Sequence, residues 1–124
     1  MAVERNRPMP LTETEDNFFR LISTRWTAHI LLALHAYHAP CRFRDILEYV
    51  PGLSNRMLSA RLASLEDEML VARSVASTRP VSVIYELTPA GEAVAKTLAL
   101  LRQQLSQRPL STSRLMPATS RIVE

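Results

Sequence analysis

The chain has 124 residues, 47% of them hydrophobic and 22% charged, with a formal net charge of +3. This leaves room for one domain with a modest core, and no apolar run approaches the roughly 18 residues of a membrane span. A single cysteine, Cys41, excludes an intramolecular disulfide. With no apolar secretory segment after Met1, it points to a reducing, cytoplasmic setting.

Eight prolines and two glycines punctuate the chain and leave five uninterrupted helix-like stretches. Residues 1–11, closed by Pro8 and Pro10, read as a flexible arm. Thr12 followed by Glu15 predicts a capping box, each side chain satisfying a backbone N–H of the other residue. The first helix then runs to about Ser23, with Phe18, Leu21 and Ile22 on one side and Phe19 alongside. A second, over about 25–37, is apolar at Trp26, Ile30, Ala33, Leu34 and Tyr37, the spacing of a buried stripe. After Pro40, Cys41-Arg42-Phe43 forms a minimal strand. The third helix, over about 44–50, buries Ile46, Leu47 and Val50 and stops at Pro51-Gly52. Ser54 is a good N-cap for a fourth, to about Glu68, with the stripe Leu58, Leu62, Leu65 and Met69.

The period then changes. Residues 70–75 and 82–87 are β-branched runs separated by about six residues, which predicts a hairpin. Thr88-Pro89 opens a fifth helix with the stripe Val94, Leu98, Leu101 and Leu105. From residue 106 to 124 the composition is polar and basic without a period, which reads as a flexible tail. The expected fold is mainly α with a small β hairpin (α+β), in the order α1-α2-β1-α3-α4-β2-β3-α5. That order is a winged helix-turn-helix over residues 12–105, with the third and fourth helices as the motif and the hairpin as the wing.

At this point the sequence resembles the HxlR family of bacterial regulators over roughly residues 16–105. The matching blocks are Arg25-Trp26-Thr27 with Ile30-Leu31, and Arg42-Phe43 with Ile46-Leu47. Next come Pro51-Gly52-Leu53-Ser54 with Arg56-Met57-Leu58-Ser59, Arg61-Leu62 and Leu65-Glu66, and finally Tyr85, Leu87, Thr88-Pro89 and Gly91. The resemblance implies a homodimer built from the first and last helices, with the helix beginning near Ser54 in the major groove. It also implies a response to a small electrophile. Many members carry a redox-active cysteine before the first helix, a place that falls near Glu13 here, so thiol sensing does not carry over at that position. Asn55-Arg56 and Ala60 also depart from the common pattern, so the operator does not carry over.

The pI of about 9.6 is a mild bias toward polyanions. All but one of the cations between the arm and the tail are arginines, whose fork suits phosphate, although codon bias would give the same enrichment. On the fourth helix, Arg56, Ala60, Ala63 and Asp67 lie opposite the core stripe, with Asn55 and Ser59 on one flank. Arg56 can read guanine, Asn55 adenine, and the alanines permit close approach to a thymine methyl; the bland alternative is a solvated helix face. Arg61 borders the stripe, so phosphate contact and an internal ion pair are equally open. Arg79 in the wing loop is a candidate for the minor groove or phosphate, or a solvated turn cation. Arg44 opens the third helix, where that helix crosses the backbone. The DNA-contact set is therefore Arg44, Ser54, Asn55, Arg56, Ser59, Ala60, Arg61 and Arg79. Phe18, Phe19, Ile22, Val94, Leu98, Leu101 and Leu105 form the expected dimer interface.

His29, His35, His38 and Cys41 are too thin a set for a structural zinc site, and no cofactor is expected. The lone thiol reads as a buried hydrophobe or an intermolecular partner. No phosphate loop, nucleophile elbow or HExxH is present, so an enzyme is not expected. Two other classes stay open, a winged-helix protein-interaction module and a metal- or thiol-responsive switch.

Overall fold

A computed structural model describes residues 10–77 and 79–108. The elements are α1 (Glu13–Ser23), α2 (Thr27–Tyr37), β1 (Cys41–Arg42), α3 (Phe43–Tyr49), α4 (Asn55–Asp67), β2 (Val71–Ala76), β3 (Ser82–Leu87) and α5 (Pro89–Ser106). The order is that of a winged helix, as the sequence predicts. Most of the arm and the tail lie outside the described residues.

The helix starts follow from local chemistry. Thr12 Oγ1 accepts from the Glu15 N–H at 3.1 Å, and Glu15 Oε1 accepts from the Thr12 N–H at 3.0 Å, closing the capping box. Ser54 Oγ accepts from the Met57 N–H at 3.1 Å and starts α4. Thr88 caps α5 through the Gly91 N–H at 3.0 Å, while its hydroxyl donates to the Met69 carbonyl at 2.7 Å. Gly91 has no latitude, because a Cβ there would stand 1.9 Å from the Leu70 carbonyl oxygen. The start of α5 is thereby pressed onto the turn that leaves α4.

The three strands form one antiparallel sheet in the order β1-β3-β2. Cys41 pairs with Tyr85, and the hairpin runs in unbroken register from Val71 opposite Leu87 to Ala76 opposite Ser82. Ile30, Leu31, Ile46, Leu58, Leu62 and Leu65, each 0–2% exposed, form the centre of the core. Burying a leucine of this size contributes about 2 kcal/mol.

Four expectations need correction. Phe43 belongs to α3 rather than to the strand: Asp45 accepts from the Arg42 N–H at 2.9 Å, so the helix begins right after Arg42. The second helix starts at Thr27, because Trp26 adopts a left-handed conformation (φ 80°) that no helix propagates. Tyr37 is 43% exposed rather than core, since it is the last residue of α2.

Met69 was expected to continue the α4 stripe, yet it is 72% exposed. The Leu70 N–H bonds to Leu65 O at 2.9 Å and the Met69 N–H to Glu66 O at 2.9 Å. This is the paired closure of a Schellman motif, with Met69 (φ 60°) in the left-handed position that glycine usually fills. Leu70 takes the core place instead, at 4% exposure.

Candidate nucleic-acid interface

The turn before α4 sets how that helix is presented. Gly52 has φ +90°, and Leu53 is buried, so the chain turns sharply and sinks an anchor before Ser54 begins the helix. Leu58, Leu62 and Leu65 then fix the rotation of α4 by facing the core. Arg56, Ala60, Ala63 and Asp67 emerge on the opposite side, inside a sector of about 60°, and all four are exposed, as are Asn55 and Ser59. The first two turns of this face carry one cation, one amide, a hydroxyl and a methyl, and no acid. The acids Asp67 and Glu68 stand at the far end.

The other predicted contacts divide. Arg44 is exposed in the first turn of α3, and Arg79 is exposed in the loop between β2 and β3. Ser54 is exposed, but its oxygen already serves as the cap. Arg61 makes no ion pair among the described residues. Its Nε donates to the Arg25 carbonyl at 2.8 Å, tying α4 to the α1–α2 turn. Arg73 is also exposed, on the wing strand opposite Tyr85. Strand alternation does not single it out, because Arg73 shares the period-two face of Val71 and Val75.

The expected dimer residues also separate into two groups. Phe18, Ile22, Val94 and Leu98 are partly buried against the chain's own core. Phe19, Leu101 and Leu105 are 53%, 53% and 54% exposed, and Leu11 at 50% and Leu100 at 63% join them. Leu100 was missed because it stands about 100° around α5 from the Leu101 row. α1 and α5 both pack on α2, which is how the fold presents these side chains.

Cys41 is buried in β1 at 2% exposure. Burial, with a smaller contribution from the Asp45 carboxylate, pushes its thiol up to about 11. His35 Nδ1 lies 2.7 Å from Glu92 Oε2, linking α2 to the first turn of α5, and the His38 ring lies 5.6 Å from that of His35. Among the described residues no group of three or more His, Cys, Asp or Glu could hold a metal ion. No helix among them is long and apolar enough to cross a membrane.

Comparison with known proteins places this geometry. The family described as HxlR-like helix-turn-helix matches residues 21–111. The HTH-type transcriptional regulator YodB of Bacillus subtilis (strain 168) is 39% identical over 79 residues, 64% of this chain and 69% of its own length. The crystal structure of quinone-bound YodB from B. subtilis superposes with a TM-score of 0.65 at 31% identity, covering 78% of this chain and 99% of that one. A possible HxlR family transcriptional factor from Thermoplasma volcanium GSS1 gives a TM-score of 0.68 at 30% identity, with coverage of 79% and 85%.

Proposed function

The chain belongs to the HxlR-like helix-turn-helix family and is a transcriptional regulator of helix-turn-helix type, and from that premise we propose that it binds duplex DNA as a homodimer in the bacterial cytoplasm. The observation that carries the reading is the N-terminal face of α4. It is fixed in rotation by three buried leucines, exposed, free of acids, and small enough at Ala60 and Ala63 to seat in a major groove. Asn55, Arg56, Ser59 and Ala60 read base edges. Arg44 and Ser54 hold the backbone, and Arg79 meets phosphate or a narrow minor groove. Arg61 holds the α1–α2 turn through Nε and directs its remaining N–H groups at phosphate.

Phe19, Leu101 and Leu105 form the part of the dimer interface that the single chain leaves uncovered, and Phe18, Ile22, Val94 and Leu98 support them from the core side. Together residues 12–105 act as one DNA-binding and dimerisation unit. The likeness to a quinone-bound relative supports a small-molecule effector. The chain's only cysteine is buried, and burial pushes its thiol up to about 11, which disfavours the thiolate that would attack an electrophile. The same burial counts against a thiol switch.

Selection of bound fragments from a random duplex pool by the purified chain tests the reading. It should enrich a two-fold symmetric sequence whose half-sites lie about 10 base pairs apart or a multiple of that. A pool that stays unenriched contradicts it.

A further inference from the structure

An open cleft of about 670 Å³ lies between α2, the turn before α4 and the distal half of α5. That volume falls within the range of small-molecule sites. Its walls include Trp26 just before α2, His29 and Leu32 from α2, Tyr49 and Pro51 from the end of α3 and its turn, and Arg102 from α5. No acidic residue lines it, and Arg102 makes no ion pair among the described residues. The cleft therefore combines the rings of Trp26, Tyr49 and His29 with one guanidinium, Arg102, that makes no ion pair among the described residues.

Trp26 is held as a wall. The Arg25 guanidinium carbon sits 4.8 Å from its ring centroid, and Arg61 fixes the Arg25 carbonyl. The Gly52 turn closes on the six-membered edge, where an added Cβ would lie 3.3 Å from Cη2. The His29 ring lies 5.0 Å from the indole at a tilt of 57°. A rigid aromatic wall favours flat rings, because little ordering is left to be lost on binding. Arginine favours a planar two-oxygen anion, which its fork meets with two parallel hydrogen bonds.

We propose that this cleft binds a flat aromatic carboxylate, with its ring against Trp26 and Tyr49 and its carboxylate on Arg102. In the regulator reading above, on which this role rests, the cleft is the place of the effector. Its occupant touches at once the turn that aims α4 and the half of α5 that carries the exposed leucines. A ligand preferring one arrangement of these elements changes DNA affinity, and DNA changes ligand affinity by the same factor.

Trp26 is the only tryptophan, so the ¹⁵N-labelled full chain gives one indole N–H signal, placed in the cleft wall. Titration with 2-naphthoate should move it saturably. 2-Naphthamide should bind about tenfold more weakly, the loss expected when a charged hydrogen-bonded pair becomes a neutral one, and acetate should leave the signal in place. Arg102 is exposed, so Arg102→Gln keeps the fold, which an unshifted indole signal before ligand addition verifies. This variant should lose about tenfold for the acid and nothing for the amide. A shift that never saturates, or equal binding of acid and amide in both proteins, overturns the proposal. Duplex binding by the same ligand-free samples is measured separately, so a failure of the regulator reading is distinguished from a failure of the cleft.

Discussion

α4 and the distal half of α5 both stand exposed, but for opposite chemical reasons. α4 turns its leucines inward and shows a face of Asn55, Arg56, Ser59 and Ala60 that water solvates at no cost. α5 is anchored at its start by Thr88, Gly91 and the buried Ala95, and in its distal half leaves Leu100, Leu101 and Leu105 more than half exposed. A polar exposed face is complete in the single chain. An apolar one is unfinished, and a contiguous patch of that kind marks an interaction surface. The proposal thus assigns reading to α4 and assembly to α5, which packs on α2.

The sharpest way to break this contrast is a charge on the unfinished face. Leu101→Glu should leave helix content nearly unchanged while producing monomers in sedimentation, with a thermal midpoint that falls and no longer depends on protein concentration. The loss of one half-site should lower operator affinity on the order of a hundredfold or more. A Leu101→Glu dimer would move the interface elsewhere.

The opposite substitution is on the finished side. Leu62→Ala, at a residue 2% exposed, should cost about 2–5 kcal/mol in urea unfolding. It acts on the fold before it acts on assembly, so unfolding and dissociation separate the two faces.

Much of this was legible in the sequence because the signals are local. The Thr12–Glu15 box, the Ser54 cap, Thr88-Pro89 and the period change after Met69 all lie within one or two turns of the structure they specify. What was not legible depends on partners far along the chain. Arg61 reads as a phosphate ligand or an ion pair, and no local signal announces the Arg25 carbonyl, which the fold brings within 2.8 Å of its Nε across 36 positions. His35 and Glu92 meet across 57. Trp26 and Arg102 share a cleft that no spacing announces. Met69 fits the apolar period of α4, but the backbone closes one residue too early for its side chain to reach the core, and a methionine in a glycine position gives no warning. On the candidate interface the exposed face of α4 is readable from its period, whereas Arg73 is not, because strand alternation groups it with Val71 and Val75.

A smaller effect sharpens the account of how α4 ends. Met69→Gly removes a left-handed Cβ clash and deletes no buried contact, so it should raise stability by about 0.5–1 kcal/mol, measured as a shift in the urea midpoint. A loss of stability would mean that the exposed Met69 side chain makes a contact of its own.

Cys41 gives the smallest expected effect on binding. Its folded thiol lies above the ordinary value of 9.0, so this group's contribution to stability is present below pH 9 and falls as pH rises toward about 11. Near pH 7 the folded chain should react slowly with iodoacetamide, and diamide should not release it from DNA. Rapid release, abolished by Cys41→Ser, would restore thiol chemistry between subunits.

The central claim is that the N-terminal face of α4 reads sequence while the wing only holds, and a comparison of Arg56→Ala with Arg79→Ala tests it most directly. Each is titrated by fluorescence anisotropy against the selected operator and a scrambled duplex at two salt concentrations. Arg56→Ala should lose about 1–3 kcal/mol per half-site on the operator and little on the scrambled duplex. Arg79→Ala should weaken both duplexes alike and reduce the salt slope by about one unit per wing. Equal losses on operator and scrambled duplex for Arg56→Ala would contradict the claim, leaving this face of α4 as one more backbone contact.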